Sequence, residues 1–546
     1  VKISLRITTT ALAGFGLAAL IASQVQAQGQ TQPIVRANGE QFYNKVCSTC
    51  HDHPDERTPP KAVISGLDPD VVVDALTKGA MKPMANGMSS SDISDIAFYL
   101  TGKMASGPKN DGALANMCPK ADPIDMSKGA WNGWSTDDIN TRYQPNPGLK
   151  TADIPKLKVK WTFAYGGARN SQVTVVGNRL YFGSTAGLMY SLNAKTGCTY
   201  WRYRPAAGMR AAPTVMKLAA APSGYAVIVN DNDQYVNALD AVSGKELWRS
   251  HVDTHPRAIL TGANKIYNGV IYVPVSSLEE GAITAPGYVC CSFRGSVAAV
   301  DAATGKLLWK TYTISEAPHT YRPGKPQMGP AGAAVWSSPT IDPKRGVLYI
   351  ATGDSYTDVD TDGADAVVAM DLKTGAVRWN AQMTEKDNFV VGCPKDVTGP
   401  VAGNCPTPLG PDVDFGASPI LIKMKNGKDM LVAGQKSSEV YGIDPDTKGK
   451  VLWKIKLGRG GAGGGVRWGM ASEGGLVYVA LNDAGPGGSP SIRRPRCRHG
   501  QDRLEGPDAG GQLRGPPPLH SVAIGARHGS AGSGAFRRPG RLYAGL

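Results

Sequence analysis

Short apolar runs set off by glycine turns dominate the chain from about residue 131 onward. Asn178–Ser184, Gly269–Val275 and Gly346–Thr352 have the length and the β-branched and aromatic content of strands. Each leads into a segment that recurs along the chain, as Ser191–Trp201, Ala238–Trp248, Ala299–Trp309, Ala369–Trp379 and, with one extra residue, Gly442–Trp453. The shared form is an acidic or amide turn residue, a Thr-Gly or Ser-Gly type of turn, and a strand ending in Trp. Trp161 adds an opening strand. A four-stranded antiparallel unit returning every roughly 40 to 75 residues, with Trp docking each unit on the next, predicts the blades of an all-β propeller. Residues 131–490 are assigned to it. Gly475–Asp483 opens another blade, but no Thr-Gly turn or Trp follows, so the propeller reads as incomplete.

Before residue 131 the period changes to that of helices. Gln41-Phe42-Tyr43 reads as helical, and Ser90–Leu100 as a capped closing helix with Ile93, Ile96, Ala97 and Leu100 on one face. Residues 28–105 are expected to form a small all-α domain, and the small-residue-rich stretch 106–130 a linker. Residues 1–27 carry Lys2 and Arg6, then an apolar stretch from Ala11 to Ala22, then Val25-Gln26-Ala27. That order predicts a secretory signal peptide cleaved after Ala27. The stretch is too short to span a bilayer, and no later one looks transmembrane.

Charge alters the picture little. The formal net charge of +14 is concentrated at the end of the chain, where residues 491–546 hold ten Arg against Asp502, Glu505 and Asp508, with eleven Gly, no Lys and no Trp. That tail cannot bury a blade and is expected to be frameshifted or disordered, although Ala535–Ala544 again looks like a blade strand. The remaining body is mildly basic without a basic run, which argues against a nucleic-acid partner. Nine cysteines in an exported chain call for pairing. Cys393 and Cys405 bracket a loop that a disulfide could close, whereas Cys118, Cys198 and Cys497 have no evident partners.

Cys47-Ser-Thr-Cys50-His51 carries the first identifiable chemistry. Two thiols placed to add across haem vinyl groups and one imidazole to bind iron make a covalent haem c site. A structural zinc site would need a second ligand pair at similar spacing, and none follows. The stretch Gly79–Met88 resembles the sixth-ligand loop of class I cytochromes c. The resemblance implies Met81 as the second iron ligand, with Met84 as the alternative, and a domain that relays electrons.

The Trp-tailed blades resemble the pyrroloquinoline quinone (PQQ) dehydrogenases. The haem domain, Trp131-Asn-Gly-Trp134 and the Cys290-Cys291-Ser-Phe-Arg-Gly segment are similar to the quinohaemoprotein branch that oxidises secondary hydroxyls such as those of polyvinyl alcohol, over residues 28 to about 485. The resemblance implies PQQ, calcium and haem c as cofactors. Trp336 would form the floor under the quinone and Lys436 would contact its oxygens, with Cys290–Cys291 as a disulfide ring beside it. Asp354, in place of the family's Asn, would bind calcium together with Glu280, or with Glu279. Asp414 would be the base that takes the alcohol proton, with Asp387 and Asp412 as alternatives because a cysteine-bearing insertion interrupts the segment. The implied route is hydride to PQQ, then single electrons through haem c to a soluble cytochrome c or terminal oxidase, in the periplasm. Two other readings stay open: a PQQ dehydrogenase for small alcohols, and a non-catalytic envelope propeller fused to a cytochrome.

Overall fold

The structure is a computed structural model that describes residues 37–53, 58–77, 81–85, 88, 90–103, 105, 116–125, 130–166, 171–205, 207–283, 287–393, 402–424, 426–482, 491–493 and 540–544. The expected leader 1–27, Cys497 and most of the tail lie outside these residues. Five antiparallel blades have four strands at their heart. They are Thr174–Val176, Arg179–Gly183, Met189–Asn193 and Thr199–Tyr203; then Thr214–Lys217, Tyr225–Asn230, Tyr235–Asp240 and Glu246–His251; then Lys265–Tyr267, Val270–Ser277, Ser296–Asp301 and Leu307–Tyr312. The fourth comprises Thr340–Asp342, Val347–Ala351, Ala366–Asp371 and Val377–Gln382, and the fifth Ile420–Lys423, Asp429–Gly434, Glu439–Asp444 and Lys450–Lys456. Met470–Glu473, Leu476–Leu481 and Ser491–Arg493 form a three-stranded sixth sheet, and Trp161–Tyr165 pairs with Gly540–Ala544.

The repeat has a simple physical basis. Its first and last residues are cross-strand partners, as in Ser191 with Trp201 and Ala299 with Trp309, and a bulge follows each pair. Trp161, Trp201, Trp248, Trp309 and Trp379 each lie against the turn glycine of the next blade. Cβ atoms added at Gly197, Gly244, Gly305 and Gly449 would stand 2.5–2.6 Å from the rings of Trp161, Trp201, Trp248 and Trp379. These glycines also adopt φ of 74–76°, so the turn needs glycine for its backbone and for the room it leaves. The indole N–H of Trp161, Trp201 and Trp248 donates to a carbonyl of that neighbouring turn at 3.2–3.3 Å. The Trp453 indole N–H is buried with no partner among the described residues.

Residues 116–125, within the expected linker, are tied to the first blade. Cys118 is disulfide-bonded to Cys198, and the carbonyl of Asp122 accepts from the buried guanidinium of Arg179. Two cysteines without evident sequence partners thus pair because that segment lies along the strand carrying Thr199.

In the small domain, helical turns Ala37–Phe42, Tyr43–Cys47 and Ser48–His51 lead into the cysteine motif, and Ser90–Thr101 closes the domain. Ile93, Ile96, Ala97 and Leu100 are all buried, with Tyr43, Ile64, Val72 and Leu76. Burying each Ile or Leu contributes about 1.5–3 kcal/mol. Gly39 allows the first and last helices to touch, since a Cβ there would stand 2.9 Å from that of Tyr99.

Candidate active site

Strand Val347–Ala351 delivers the chain through Thr352 and Gly353 to Asp354, which is 2% exposed. The Asp354 N–H donates to Asp414 Oδ1 at 2.6 Å, and Gly353 makes this approach possible, because a Cβ there would lie 2.9 Å from the same oxygen. Lys436, just past strand Asp429–Gly434, donates from Nζ to Asp412 Oδ1 at 2.5 Å and to Asp414 Oδ2 at 2.8 Å. Oxygens of Asp354, Asp412 and Asp414 lie within 4.8 Å of one another, all buried. The loops between three strands of two blades therefore converge on one small volume.

That much negative charge in a buried site has strong electrostatic consequences. Burial first, and then the charges of Asp414, Glu280 and Asp412, push the Asp354 carboxyl well above the usual range. Asp412 is pushed up to about 6 by burial and by Asp414, with Lys436 pulling the other way. Burial disfavours the Lys436 ammonium, but Asp414 and Asp412 outweigh it and keep the lysine charged. Asp354 Oδ2 has no hydrogen-bond partner among the described residues. An unpaired buried carboxylate oxygen beside two further carboxylates is the donor set of a hard cation, so the residues fit calcium.

Glu280 stands outside the tight cluster, yet burial and the charges of Asp414 and Asp412 push its carboxyl up to about 7. Glu279 has a different task. It is fully buried and accepts from the N–H of Ser292 and Phe293 and from the Tyr288 hydroxyl, so it braces the chain around the Cys290–Cys291 disulfide. Neighbouring glutamates are thus separated into one that faces the carboxylates and one spent on backbone.

Trp336 packs edge-on to Trp468 with ring centres 6.0 Å apart, and Lys436 Nζ lies 5.6 Å from its ring centre. Gly416 has no side chain where a Cβ would overlap the Trp336 indole. A narrow concavity of about 50 Å³ beside this ring is lined by Trp134, Arg210, Thr261, Ser337, Ser338 and Trp468 among others. Trp134 Nε1 and the hydroxyls of Thr261, Ser337 and Ser338 are buried without partners among the described residues. Arg210 and Arg467 both lie over the Trp468 ring. Aromatic walls, unpaired polar atoms and cations suit a flat, carboxylate-bearing quinone such as PQQ. Cys290 and Cys291 belong to the apolar cluster against which Trp336 packs. Arg210, Thr261 and Trp468 were not singled out from sequence, because each lies in a different blade and carries no local motif.

The insertion between Trp379 and Asp414 is closed by the Cys393–Cys405 disulfide and pinned to the same place. Asn404 accepts from the Cys290 N–H at 3.0 Å and donates to the Tyr288 carbonyl at 2.7 Å, while the Val391 N–H reaches the Glu280 carbonyl. Asp387, at its start, accepts from the N–H of Asp412 at 2.8 Å and of Val413 at 2.6 Å.

In the helical domain Cys47 and Cys50 are free thiols one helical turn apart with His51 beside them, which fits covalent haem. The His51 Nδ1 lies 2.8 Å from the Pro59 carbonyl, leaving Nε2 for iron and fixing the ring's orientation. Met81 is partly buried against the domain core, whereas Met84 is 52% exposed.

A Trp-docked propeller with this acidic pocket, joined to a haem-binding helical domain, defines the quinohaemoprotein dehydrogenase class. Family profiles match accordingly: outer membrane protein assembly factor BamB over residues 153–323, the glucose/ethanol/alcohol dehydrogenase β-propeller domain over 260–396, and cytochrome c oxidase, cbb3-type, subunit III over 35–100. The chain is 43% identical over 486 residues to a polyvinylalcohol dehydrogenase of Pseudomonas sp., covering 85% of this chain and 75% of the relative. It is 40% identical over 484 residues to that of Sphingopyxis sp. (strain 113P3), covering 85% and 73%. A europium-containing methanol dehydrogenase structure, 20% identical with a TM-score of 0.50 over 69% of this chain and 75% of that one, shares the fold. The chain belongs to the polyvinylalcohol dehydrogenase family of PQQ-dependent alcohol dehydrogenases, whose cofactors are PQQ, calcium and haem c. This sets aside a non-catalytic scaffold.

Proposed function

We propose that this dehydrogenase oxidises secondary hydroxyls of polyvinyl alcohol to ketones in the periplasm and passes the electrons through its own haem c to a soluble cytochrome c or terminal oxidase. The observation that carries the reading is the buried Asp354, Asp414 and Lys436 constellation beside Trp336, in a chain so similar to two polyvinylalcohol dehydrogenases over most of its length. No helix among the described residues is long and apolar enough to cross a membrane.

When bound, PQQ would supply a hydride acceptor, calcium a Lewis acid and haem a one-electron carrier. The protein's own groups do the rest. Trp336 would form the floor under the quinone, beside Cys290–Cys291. Lys436 meets the quinone oxygens and balances the charge of Asp412 and Asp414. Asp354 and Glu280 hold calcium. Asp414 is the general base that takes the hydroxyl proton at a carboxylate oxygen, with Lys436 and the Asp354 N–H fixing its orientation. Cys47 and Cys50 would hold haem, with His51 and Met81 as the residues available to the iron.

The test is to add PQQ and calcium to purified protein and follow haem absorbance with polyvinyl alcohol and with small secondary alcohols. Reduction by the polymer is expected. Reduction by small alcohols alone would remove the polymer from the reading, and silence with every alcohol would remove the site assignment.

A further inference from the structure

We propose that Asp387 is a positioning residue for the oxidation, holding the segment that bears Asp412 and Asp414 in register with Lys436 and Asp354. The inference rests on the reading of Asp414 as the base. Asp387 follows strand Val377–Gln382 of the fourth blade, whereas the segment it grips precedes strand Ile420–Lys423 of the fifth. Between them runs the insertion with the Cys393–Cys405 disulfide.

Its two carboxylate oxygens are divided between two neighbouring main-chain donors, Oδ1 accepting from Asp412 N and Oδ2 from Val413 N. Such charge-assisted bonds fix direction as well as distance. The gripped residue is an unusual one. Asp412 has φ of 56°, in the left-handed region that a residue with a Cβ seldom occupies, and in this conformation its side chain meets Lys436 at 2.5 Å. The Asp387 carbonyl also accepts from the N–H of Ser355, the residue after Asp354, at 3.0 Å. One side chain and its own backbone therefore join the calcium-side strand to the base-side segment.

Asp387 also lines a cavity of about 310 Å³, with Ser355, Ala364, Gln382, Glu385 and Asn388. Truncating Asp387 opens its place to that cavity, which has room for a small carboxylate to take over the two N–H donors. A residue that merely fills space cannot be replaced in this way.

The experiment compares wild type, Asp387→Ala and Asp387→Asn, each loaded with PQQ and calcium. Quinone content, KM and kcat for a small secondary alcohol, and the effect of added formate are measured. For Asp387→Ala, quinone content and KM are expected to stay within twofold of wild type while kcat falls by about 10²-fold, the scale of an ångström-sized misplacement of a reacting group. Formate is expected to restore kcat saturably by at least about tenfold in this variant and to leave wild type unchanged. Asp387→Asn, which keeps one acceptor oxygen, is expected to fall in between, and it decides the matter if the alanine protein does not fold. A kcat within twofold of wild type in the variant that folds overturns the proposal, as does a fall that formate leaves untouched in Asp387→Ala. If wild type itself turns over no alcohol, the reading of Asp414 falls and this inference with it.

Discussion

Lys436 carries one positive charge between two buried carboxylates, Asp412 and Asp414. Removing the ammonium while keeping the bulk leaves those carboxylates facing each other in a poorly solvated site, and breaking a buried pair on one side costs about 3–5 kcal/mol. Lys436→Met is expected to lower the urea-unfolding stability of the calcium-free protein by about 3 kcal/mol. Calcium should return part of it, because a cation among the carboxylates does the same electrostatic work. Equal stabilities without calcium would exclude the bridge as a structural tie. Asp231, which is not part of the carboxylate cluster, gives a second titration. It is wholly buried, and its carboxylate accepts from the N–H of Asp233 and Tyr235 and from the Asn237 amide. Burial, helped by the charge of Asp233, pushes its carboxyl up from 3.8 to about 7. The native state then keeps a proton that the unfolded chain releases, so this stability is complete below about pH 4 and is lost as the pH rises through 7. Asp231→Asn should flatten the fall of Tm between pH 4 and 8, and an unchanged slope would refute the assignment.

Elements are joined here by the fit of indole rings on glycine turns. The repeat that announces a propeller in the sequence is the same feature that holds the blades together, which is why the architecture was legible: Trp and turn glycine recur at fixed distances within each unit. The helical domain was legible for a similar reason, since Ile93, Ile96, Ala97 and Leu100 keep a helical period and all face inward. The pairing of Cys118 with Cys198 was not legible, because it depends on where a strand-free segment lies rather than on any periodicity. Gly416 shows the same contrast. In the sequence it is one glycine after Phe415, but in the fold it is the gap that admits the Trp336 ring. Gly416→Ala is expected to destabilise the protein by about 1–3 kcal/mol through overpacking, and to weaken PQQ binding as the indole is displaced. Calorimetry and quinone titration check the two effects; an unshifted Tm would mean that the floor is not tightly packed.

On the scale of the whole molecule, strand Trp161–Tyr165 is paired with Gly540–Ala544 from the far end of the chain. Phe163 and Tyr165 are buried with Phe182 and Tyr190 in an aromatic cluster of the first blade. Removing residues 540–546 should expose the edge of strand Trp161–Tyr165 and lower Tm by about 1–3 °C, as a loss of one to two kcal/mol does in a domain of this size. A Tm equal to that of the full chain would deny the closing strand any structural part. Local order was written in the chain itself: the haem pentad, the helical period and the Trp-Gly repeat each act within a few residues or a single blade, where covalent spacing dictates contact. The tertiary structure decided which side chains meet. Asp354 and Asp414 stand sixty positions apart, Glu279 and Glu280 are neighbours with different tasks, and Asp387, one of three candidates for the base, serves its neighbours' backbone. Such meetings depend on how blades turn about a common axis and on how an insertion folds back over them, and no local pattern of residues encodes either.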